Sequence, residues 1–521
     1  MRTILITGAT DGIGLALSQL YAQRGERLVL VGRRPLEELD RRLFTLATYC
    51  RVDLSHPDCA EAIAAWLDAR GIAALDLVIH NAGLGYVGAI AAQPEDNLRA
   101  LVDVNLWAPI TLTHRLYERV RAAQGRFVFI SSVAAAIPAP DYAIYSATKA
   151  ALDGFVHNWR TELRAAQSGV TAQLIHLGAT RTNMHAKSGA DPAALGWERF
   201  PPPAEIARKI AKTIAGPAAP ATIGLGNRLV YWTGRKVPQL MDRLAPRRQL
   251  SGSARPRPAG QAHCVITGAA GGIGRALMFA FADAGYAVTG IDRDAARAAQ
   301  TQAELVDMGR PAQMLVADLT NAGDLQRLAS ELAALPPADV LVHNAGISCV
   351  GPFVHSPIRQ QRSVVEVNLL APLALTANLL RQGGLAAGGT VVCVSSLSHF
   401  VGYPGAAVYA ATKDGLAAYA RSLRIALSSQ GGRVLTVYPG PTRTAHARRY
   451  SPDNRREQRR MAPDRLAGQI LAAVVRRRRI LIPGMANQLS AALGYAAPTL
   501  MQALMRRALY EPLARLTETR E

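Results

Sequence analysis

Thr7-Gly8-Ala9-Thr10-Asp11-Gly12-Ile13-Gly14 returns as Thr267-Gly268-Ala269-Ala270-Gly271-Gly272-Ile273-Gly274, roughly 260 residues further on. His80-Asn81-Ala82-Gly83 returns as His343-Asn344-Ala345-Gly346, and Tyr145-Ser146-Ala147-Thr148-Lys149 as Tyr409-Ala410-Ala411-Thr412-Lys413. A period this long exceeds any stacked repeat unit and marks a duplicated domain. The 521 residues suit two hydrophobic cores better than one. The expected division is 1–248, a Pro-, Gly-, Ser- and Arg-rich linker at 249–261, and 262–521. Each copy closes with a mixed apolar and basic tail, Asn227 to Arg248 and Asn487 to Arg507. Such a tail either packs on its own domain or meets a lipid surface.

Within the first copy, short apolar runs alternate with amphipathic segments. Strands are expected at Thr3–Thr7, Leu28–Val31, Leu75–His80, Arg126–Ser131 and Thr171–Leu177. Helices are expected at Ile13–Arg24, Pro57–Arg70, Glu95–Val104, Ala108–Ala122 and Ala143–Ala166. Near-continuous apolar strands separated by helices call for a parallel sheet covered on both faces. The fold class is α/β: two tandem Rossmann-type, doubly wound parallel-sheet domains. The second copy gains about five residues between Asp292 and Asp318, which implies a longer helix there.

A strand that ends in Thr-Gly, followed three residues later by Gly-Ile-Gly opening a helix, brings bare backbone to a phosphate. Free N–H groups and partial positive charge at the helix start favour the anion. Alone, such glycines can be only a turn; here Gly8, Gly12, Ile13 and Gly14 are repeated by Gly268, Gly272, Ile273 and Gly274. The spacing resembles the TGxxxGxG motif of the short-chain dehydrogenase/reductase family, which binds a nicotinamide dinucleotide. By that resemblance Asp53-Leu54 and Asp318-Leu319 contact adenine. Asn81-Ala82-Gly83 and Asn344-Ala345-Gly346 match the family's NAG motif beside the cofactor.

The residue that ends the second strand reads the adenosine ribose. A carboxylate accepts from both ribose hydroxyls and repels a 2′-phosphate, whereas arginine attracts it. Asp292 therefore favours NAD(H) in the second copy. Gly32 followed by Arg33 favours NADP(H) in the first. The alternative is that these are ordinary loop charges.

Reduction of a carbonyl needs a proton donor for the oxygen. A phenol with a pKa of about 10 serves poorly unless a nearby cation stabilises its phenolate. Tyr-x-x-x-Lys on a helix sets the two side chains on one face, one turn apart. Tyr145/Lys149 and Tyr409/Lys413 use two of the chain's six lysines. The resemblance makes Ser132 and Ser396 the groups that orient the substrate oxygen. It makes Asn105 and Asn368 supports for a water relay to the lysine. Pro439-Gly440 and Thr444 follow the family pattern beyond the sixth strand, with Thr182 their counterpart in the first copy, where Leu177-Gly178 replaces Pro-Gly. His80 and His343 stand where the family often has Asn and read as hydrogen-bonded structure.

The substrate lids are expected after Thr182, including Asp191, Pro192 and the stretch from Trp197 to Pro203, and from His446 to Pro463. A small hydroxy or keto compound with an apolar body fits, with room for an anionic handle beside the Arg-rich second lid. The helix faces Ala147, Ala151, Phe155, Trp159, Leu163 and Ala411, Gly415, Tyr419, Leu423 suit close packing. They serve an intramolecular pseudo-dimer, a homo-oligomer, or burial against each copy's own sheet. The net charge of +21 is mostly arginine, concentrated at 247–257, 448–460 and 476–479, without interleaved aromatics. Solvated basic surface, an anionic substrate or a peripheral membrane contact precede nucleic acid, for which no module is visible. Five scattered cysteines without a CxxC pair, and no metal-ligand cluster, fit a reducing cytoplasmic setting. No clean membrane span appears; 489–505 comes nearest.

The leading expectation is a bifunctional NAD(P)-dependent alcohol/carbonyl oxidoreductase. The alternative is one catalytic copy beside a dinucleotide-binding structural or redox-sensing copy.

Overall fold

The computed structural model describes residues 1–189, 191, 196–238, 241–242, 260–451, 454–455 and 457–518. The proposed linker, apart from Gly260 and Gln261, and Pro192 lie outside the described residues. The chain divides into two compact units. One comprises Met1–Gly88, Pro94–Arg243 and Phe353–Ile358; the other comprises Ala89–Gln93, Leu244–Pro352 and Arg359–Glu521.

The first unit carries a seven-stranded parallel sheet in the order β3-β2-β1-β4-β5-β6-β7. Its strands are β1 (Thr3–Thr7), β2 (Arg27–Gly32), β3 (Tyr49–Arg51), β4 (Leu77–His80), β5 (Arg126–Ser132), β6 (Thr171–Leu177) and β7 (Ala221–Thr222). The second unit repeats the order with β8 (His263–Thr267), β9 (Ala287–Asp292), β10 (Ala312–Val316), β11 (Ala338–His343), β12 (Leu385–Val394), β13 (Arg433–Val437) and β14 (Ile480–Leu481). Central strands such as Ile4-Leu5-Ile6 are buried throughout, as a sheet covered on both faces requires. The order reverses between β1 and β4, and between β8 and β11. Crevices at the carboxyl ends of such strands are where ligands bind in this class of sheet.

The expected strands of the first copy form within two residues of their expected ends, and helices Ala108–Ala122 and Ala143–Ala166 match fully. β3 and β7 were not foreseen. They are edge strands of three and two residues, too short for an alternating pattern. Glu95–Val102 is α-helical, but Asp103–Trp107 continues it as a π-helical turn. The insertion in the second copy builds the helix Ala295–Asp307. Its place in the first copy is held by the 3-10 turn Leu36–Glu38, so the extra residues create a helix there rather than lengthen one.

Four helices carry the sites. They are α1 (Gly12–Gln23) and α2 (Ala143–Ala166) in the first copy, and α3 (Gly272–Asp283) and α4 (Ala407–Ser428) in the second. On α2 the aromatic face packs on its own sheet. Trp159 meets Phe127 and Phe129 edge-on, at centroid distances of 5.5 and 6.4 Å, and Phe155 meets Phe129 at 6.2 Å. Each buried ring contributes about 2 kcal/mol to holding the helix in place. Among the described residues one helical stretch, Ile358–Gln382, is long and apolar enough to cross a membrane, and most of it is buried in the fold. That stretch, and not 489–505, is the most span-like.

Candidate active sites

The glycine loops take the shape expected of a phosphate cradle. Gly8 and Gly12 lie at φ +65° and +51°, and Gly268 and Gly272 at +67° and +53°, in the left-handed region that favours glycine. A methyl group on Gly14 would strike the Gly8 carbonyl and stand 2.6 Å from Asn81 Nδ2; Gly274 repeats this against Gly268 and Asn344. The loop therefore closes on its own backbone, leaving the start of each helix for an anion. Asn81 Nδ2 donates to the carbonyl of Thr7 (3.0 Å), and Asn344 Nδ2 to that of Thr267 (3.0 Å). The Asn81 and Ala82 amides both donate to Thr7 Oγ1, and Asn344 and Ala345 do the same to Thr267 Oγ1. The NAG motif is thus a clamp between the first and fourth strands. Thr182 and Thr444 close over the loops. A methyl on Gly12 or Gly272 would lie 3.1 Å from the respective threonine Cγ2.

Strand register confirms the comparison made at the ribose end. Thr7 pairs with Val31 and Thr267 with Ile291, so Gly32 and Asp292 occupy the same place. Asp292 is held there, accepting from the Ala270 amide (2.9 Å) and the Asp294 amide (3.1 Å). Arg33 is exposed, with Nη1 3.8 Å from Asp53 Oδ2. Asp53 and Asp318 each accept from a downstream hydroxyl, Ser55 (2.8 Å) and Thr320 (2.9 Å). Leu54 is buried and Leu319 half-buried. These residues form a cradle suited to an adenine dinucleotide in each copy.

The structure brings the four catalytic candidates of each copy together. Lys149 Nζ donates to the Ile130 carbonyl (3.1 Å) and lies 5.8 Å from the centre of the Tyr145 ring. Lys413 Nζ donates to Val394 (3.0 Å) at the same 5.8 Å from Tyr409. Ser132 and Ser396 hydrogen-bond to the tyrosine hydroxyls and accept from the amides of Ala134 and Ser398, both at 3.2 Å. Asn105 Oδ1 accepts from the Leu84 amide (2.8 Å), while its Nδ2 donates to Leu84 O (3.0 Å) and Thr148 Oγ1 (3.1 Å). Asn368 repeats this with Ile347 and Thr412. Gly83 has no side chain between Asn105 and Lys149. A methyl there would lie 3.5 Å from Asn105 Oδ1 and 3.7 Å from Lys149 Nζ.

One electrostatic expectation is reversed. Burial pushes the Tyr145 phenol up to about 12 and the Tyr409 phenol up as well, with the serine hydrogen bonds only partly opposing it. Burial also lowers both lysines to about 8, opposed at Lys149 by the Asp153 charge. Burial thus favours the neutral phenol in each copy. Desolvation of a buried phenol outweighs a cation that does not touch its oxygen.

His80 and His343 are buried and hydrogen-bonded to Thr113 (3.1 Å) and Thr376 (2.8 Å), a structural role. In the first copy Leu177 extends the pairing of β6 with β5 to Ser132. In the second the Pro439 carbonyl accepts from the Leu397 amide (2.9 Å).

Three features escaped the sequence reading. Asp11 caps α1 by accepting from the Gly12 amide (2.8 Å) and pairs with Lys187 (2.7 Å) of the segment after Thr182. Asp153, one turn beyond Lys149, gathers Ser131 (2.6 Å), His176 (2.8 Å) and Tyr231 (3.1 Å). His446 lies near Lys413, and burial holds it down at about 4. The i, i+4 spacing of Lys149 and Asp153 was visible in the sequence, but their partners come from distant strands and helices.

The short chain dehydrogenase family matches residues 2–193 and 262–455. The chain is 33% identical over 191 residues to the mouse dehydrogenase/reductase SDR family member 7B, covering 35% of this chain and 58% of that one. It is 39% identical over 183 residues to 1-deoxy-11-beta-hydroxypentalenate dehydrogenase of Streptomyces exfoliatus, covering 34% and 66%. The two matches thus span 58% and 66% of the relatives' own lengths. A solved short-chain dehydrogenase from Sphingobium yanoikuyae in complex with NADPH is 29% identical, covers 46% of this chain and 95% of that one, and has a TM-score of 0.40. With a matching region in each half, the chain belongs to the short-chain dehydrogenase family twice over.

Proposed function

We propose that the chain is a bifunctional NAD(P)-dependent oxidoreductase that interconverts alcohol and carbonyl groups, with one working site in each copy. The observation that carries this is the doubled constellation: Lys149 and Lys413 anchored to the fifth strands, each beside a tyrosine that hydrogen-bonds to a serine. A bound dinucleotide supplies or takes the hydride. In the reducing direction Ser132 or Ser396 holds the carbonyl oxygen, and the neutral phenol of Tyr145 or Tyr409 gives it a proton. The phenolate left behind is stabilised by the buried ammonium of Lys149 or Lys413 and is reprotonated by a water relay past Asn105 or Asn368. Proton transfer of this kind contributes about 10²- to 10⁴-fold.

The first copy takes NADP(H), through Gly32 and Arg33, and the second takes NAD(H), through the held carboxylate of Asp292. Opposite preferences suit oxidation in the second copy followed by reduction in the first. The substrate is a small hydroxy or keto compound with an apolar body, and the Arg-rich second lid accommodates an anionic handle. The two copies form a pseudo-dimer within one chain or a homo-oligomer across chains; the aromatic face of α2 is taken up by its own sheet. Light scattering separates these. The five buried, free cysteines support a reducing compartment, the cytoplasm.

Steady-state assays of the full chain carrying Tyr145→Phe or Tyr409→Phe, each with NADPH-driven reduction and NAD-driven oxidation, test the division of labour. Each variant is expected to lose one half-reaction. Retention of both by either variant contradicts it. A purely dinucleotide-sensing second copy would leave Tyr409→Phe without effect on any turnover.

A further inference from the structure

The helix Leu225–Lys236 near the end of the first copy turns Leu225, Leu229 and Trp232 outward, with 82%, 63% and 56% of their surfaces exposed. Spaced four and three residues apart, they form one stripe. Arg228, Arg235 and Lys236 are exposed on the same helix, and the sequence from Leu225 to Pro238 contains no acidic residue. The second copy repeats the apolar part of this surface without the basic residues. Met485, Leu489 and Leu493 are exposed along Met485–Ala496, and Leu500 and Leu504 along Pro498–Met505. Arg506 and Arg507 follow, Arg506 pairing with Glu511 at 3.4 Å, and no charged residue of either sign occurs from Met485 to Met505.

The inner sides of these helices are fixed to the candidate sites. A methyl on Gly234 would lie 2.6 Å from the Ala136 carbonyl, just beyond Ser132, and one on Gly178 would strike Asn227. In the second copy Gly494 has the same relation to the Phe400 carbonyl, just beyond Ser396, and Gly440 to Asn487. Each apolar stripe therefore backs onto the segments that border its own substrate side.

We infer that each helical face seats its own copy on an anionic lipid bilayer, from which apolar hydroxy or keto substrates reach that copy's site. On Leu225–Lys236 an apolar stripe with leucine and tryptophan is edged by arginine and lysine, the pattern of a helix lying in a membrane interface; the second copy adds an uncharged apolar face. Charge complementarity selects this occupant. Anionic headgroups attract the cationic edge of Leu225–Lys236, whereas the same helix of a second chain would bring like cations against it. The oxidoreductase reading gives the surface its use. Vesicle binding is measured without turnover, so the two readings fail separately.

The test is co-sedimentation of the full chain with phosphatidylcholine vesicles and with vesicles containing phosphatidylglycerol, at low and high salt. The chain is expected to pellet at least about tenfold better with the anionic vesicles at low salt and to be released by high salt. Leu229→Glu with Trp232→Glu, and Leu489→Glu with Leu493→Glu, are expected to abolish pelleting while leaving dinucleotide binding and far-ultraviolet dichroism unchanged. A wild-type chain that stays in the supernatant overturns the proposal. So do folded variants that pellet as well as wild type, or substitutions that dissociate a dimer by light scattering without altering vesicle binding.

Discussion

His176 Nε2 lies 2.8 Å from Asp153 Oδ2 in the core of the first copy, and the second copy has neither residue. Lysine contacts and strand pairing place Tyr438 opposite His176, and Ala417 follows Lys413 as Asp153 follows Lys149. The two copies hold the same Tyr-Lys pair over different foundations. One is a carboxylate gathering Ser131, His176 and Tyr231; the other is an aromatic packing in which His399 stacks on Tyr438 at 5.2 Å.

The Asp153 charge opposes the burial that lowers Lys149 to about 8. Asp153→Asn keeps the shape and removes the charge, so Lys149 loses its proton at a lower pH. With both lysines near 8, reduction is expected to slow as pH rises above that value in each copy. In Asp153→Asn the alkaline limb of the NADPH-driven reaction moves to lower pH while the NAD-driven one stays in place. The variant is also expected to lose about 2 kcal/mol of stability, since His176 and Tyr231 lose a charged partner. Rate profiles from pH 6 to 10 read the first effect and thermal melts the second.

Cofactor choice is expected to follow the residue at the end of the second strand. Asp292→Ala removes the carboxylate that meets the ribose and raises the affinity of the second copy for NADP(H) relative to NAD(H) by about tenfold, or about 1.4 kcal/mol. Gly32→Asp shifts the first copy the other way. Its Cβ would lie 2.7 Å from Thr10 Cγ2, so the threonine must turn aside. Titration of the full chain with each dinucleotide checks both.

Stability should fall on acidification through two histidines. Burial holds His80 and His343 at about 3, against about 6.5 in an unfolded chain. Below 6.5 the unfolded chain takes up protons that the folded chain refuses. Stability that is complete above 6.5 is therefore lost as pH falls towards 3, by a few kcal/mol. Melting temperatures between pH 7 and 4 are expected to drop, and to drop less in the His80→Gln/His343→Gln double variant.

The repeated motifs made the architecture and most of each site legible, because they depend on local rules. A phosphate cradle needs glycine at fixed steps along a strand-turn-helix, and a Tyr-Lys pair needs one helical turn. The edge strands Tyr49–Arg51 and Ala221–Thr222 were not legible, since register with a neighbour, and not periodicity, makes them strands. Nor was the Asp153 cluster, whose members come from β5, α2, β6 and the helix at 225–236. The pull of burial on the phenols was not legible for a related reason. Burial is a property of the whole fold, and it overrides the cation that the sequence places one turn away.

The central claim, one complete site in each copy, is tested most directly by counting dinucleotide sites calorimetrically on the full chain and on Gly14→Ala and Gly274→Ala. Each new methyl strikes the carbonyl of its own glycine loop. Two equivalents bound by the native chain, with a different one lost in each variant, are expected. A single equivalent, or the loss of both in either variant, would contradict it.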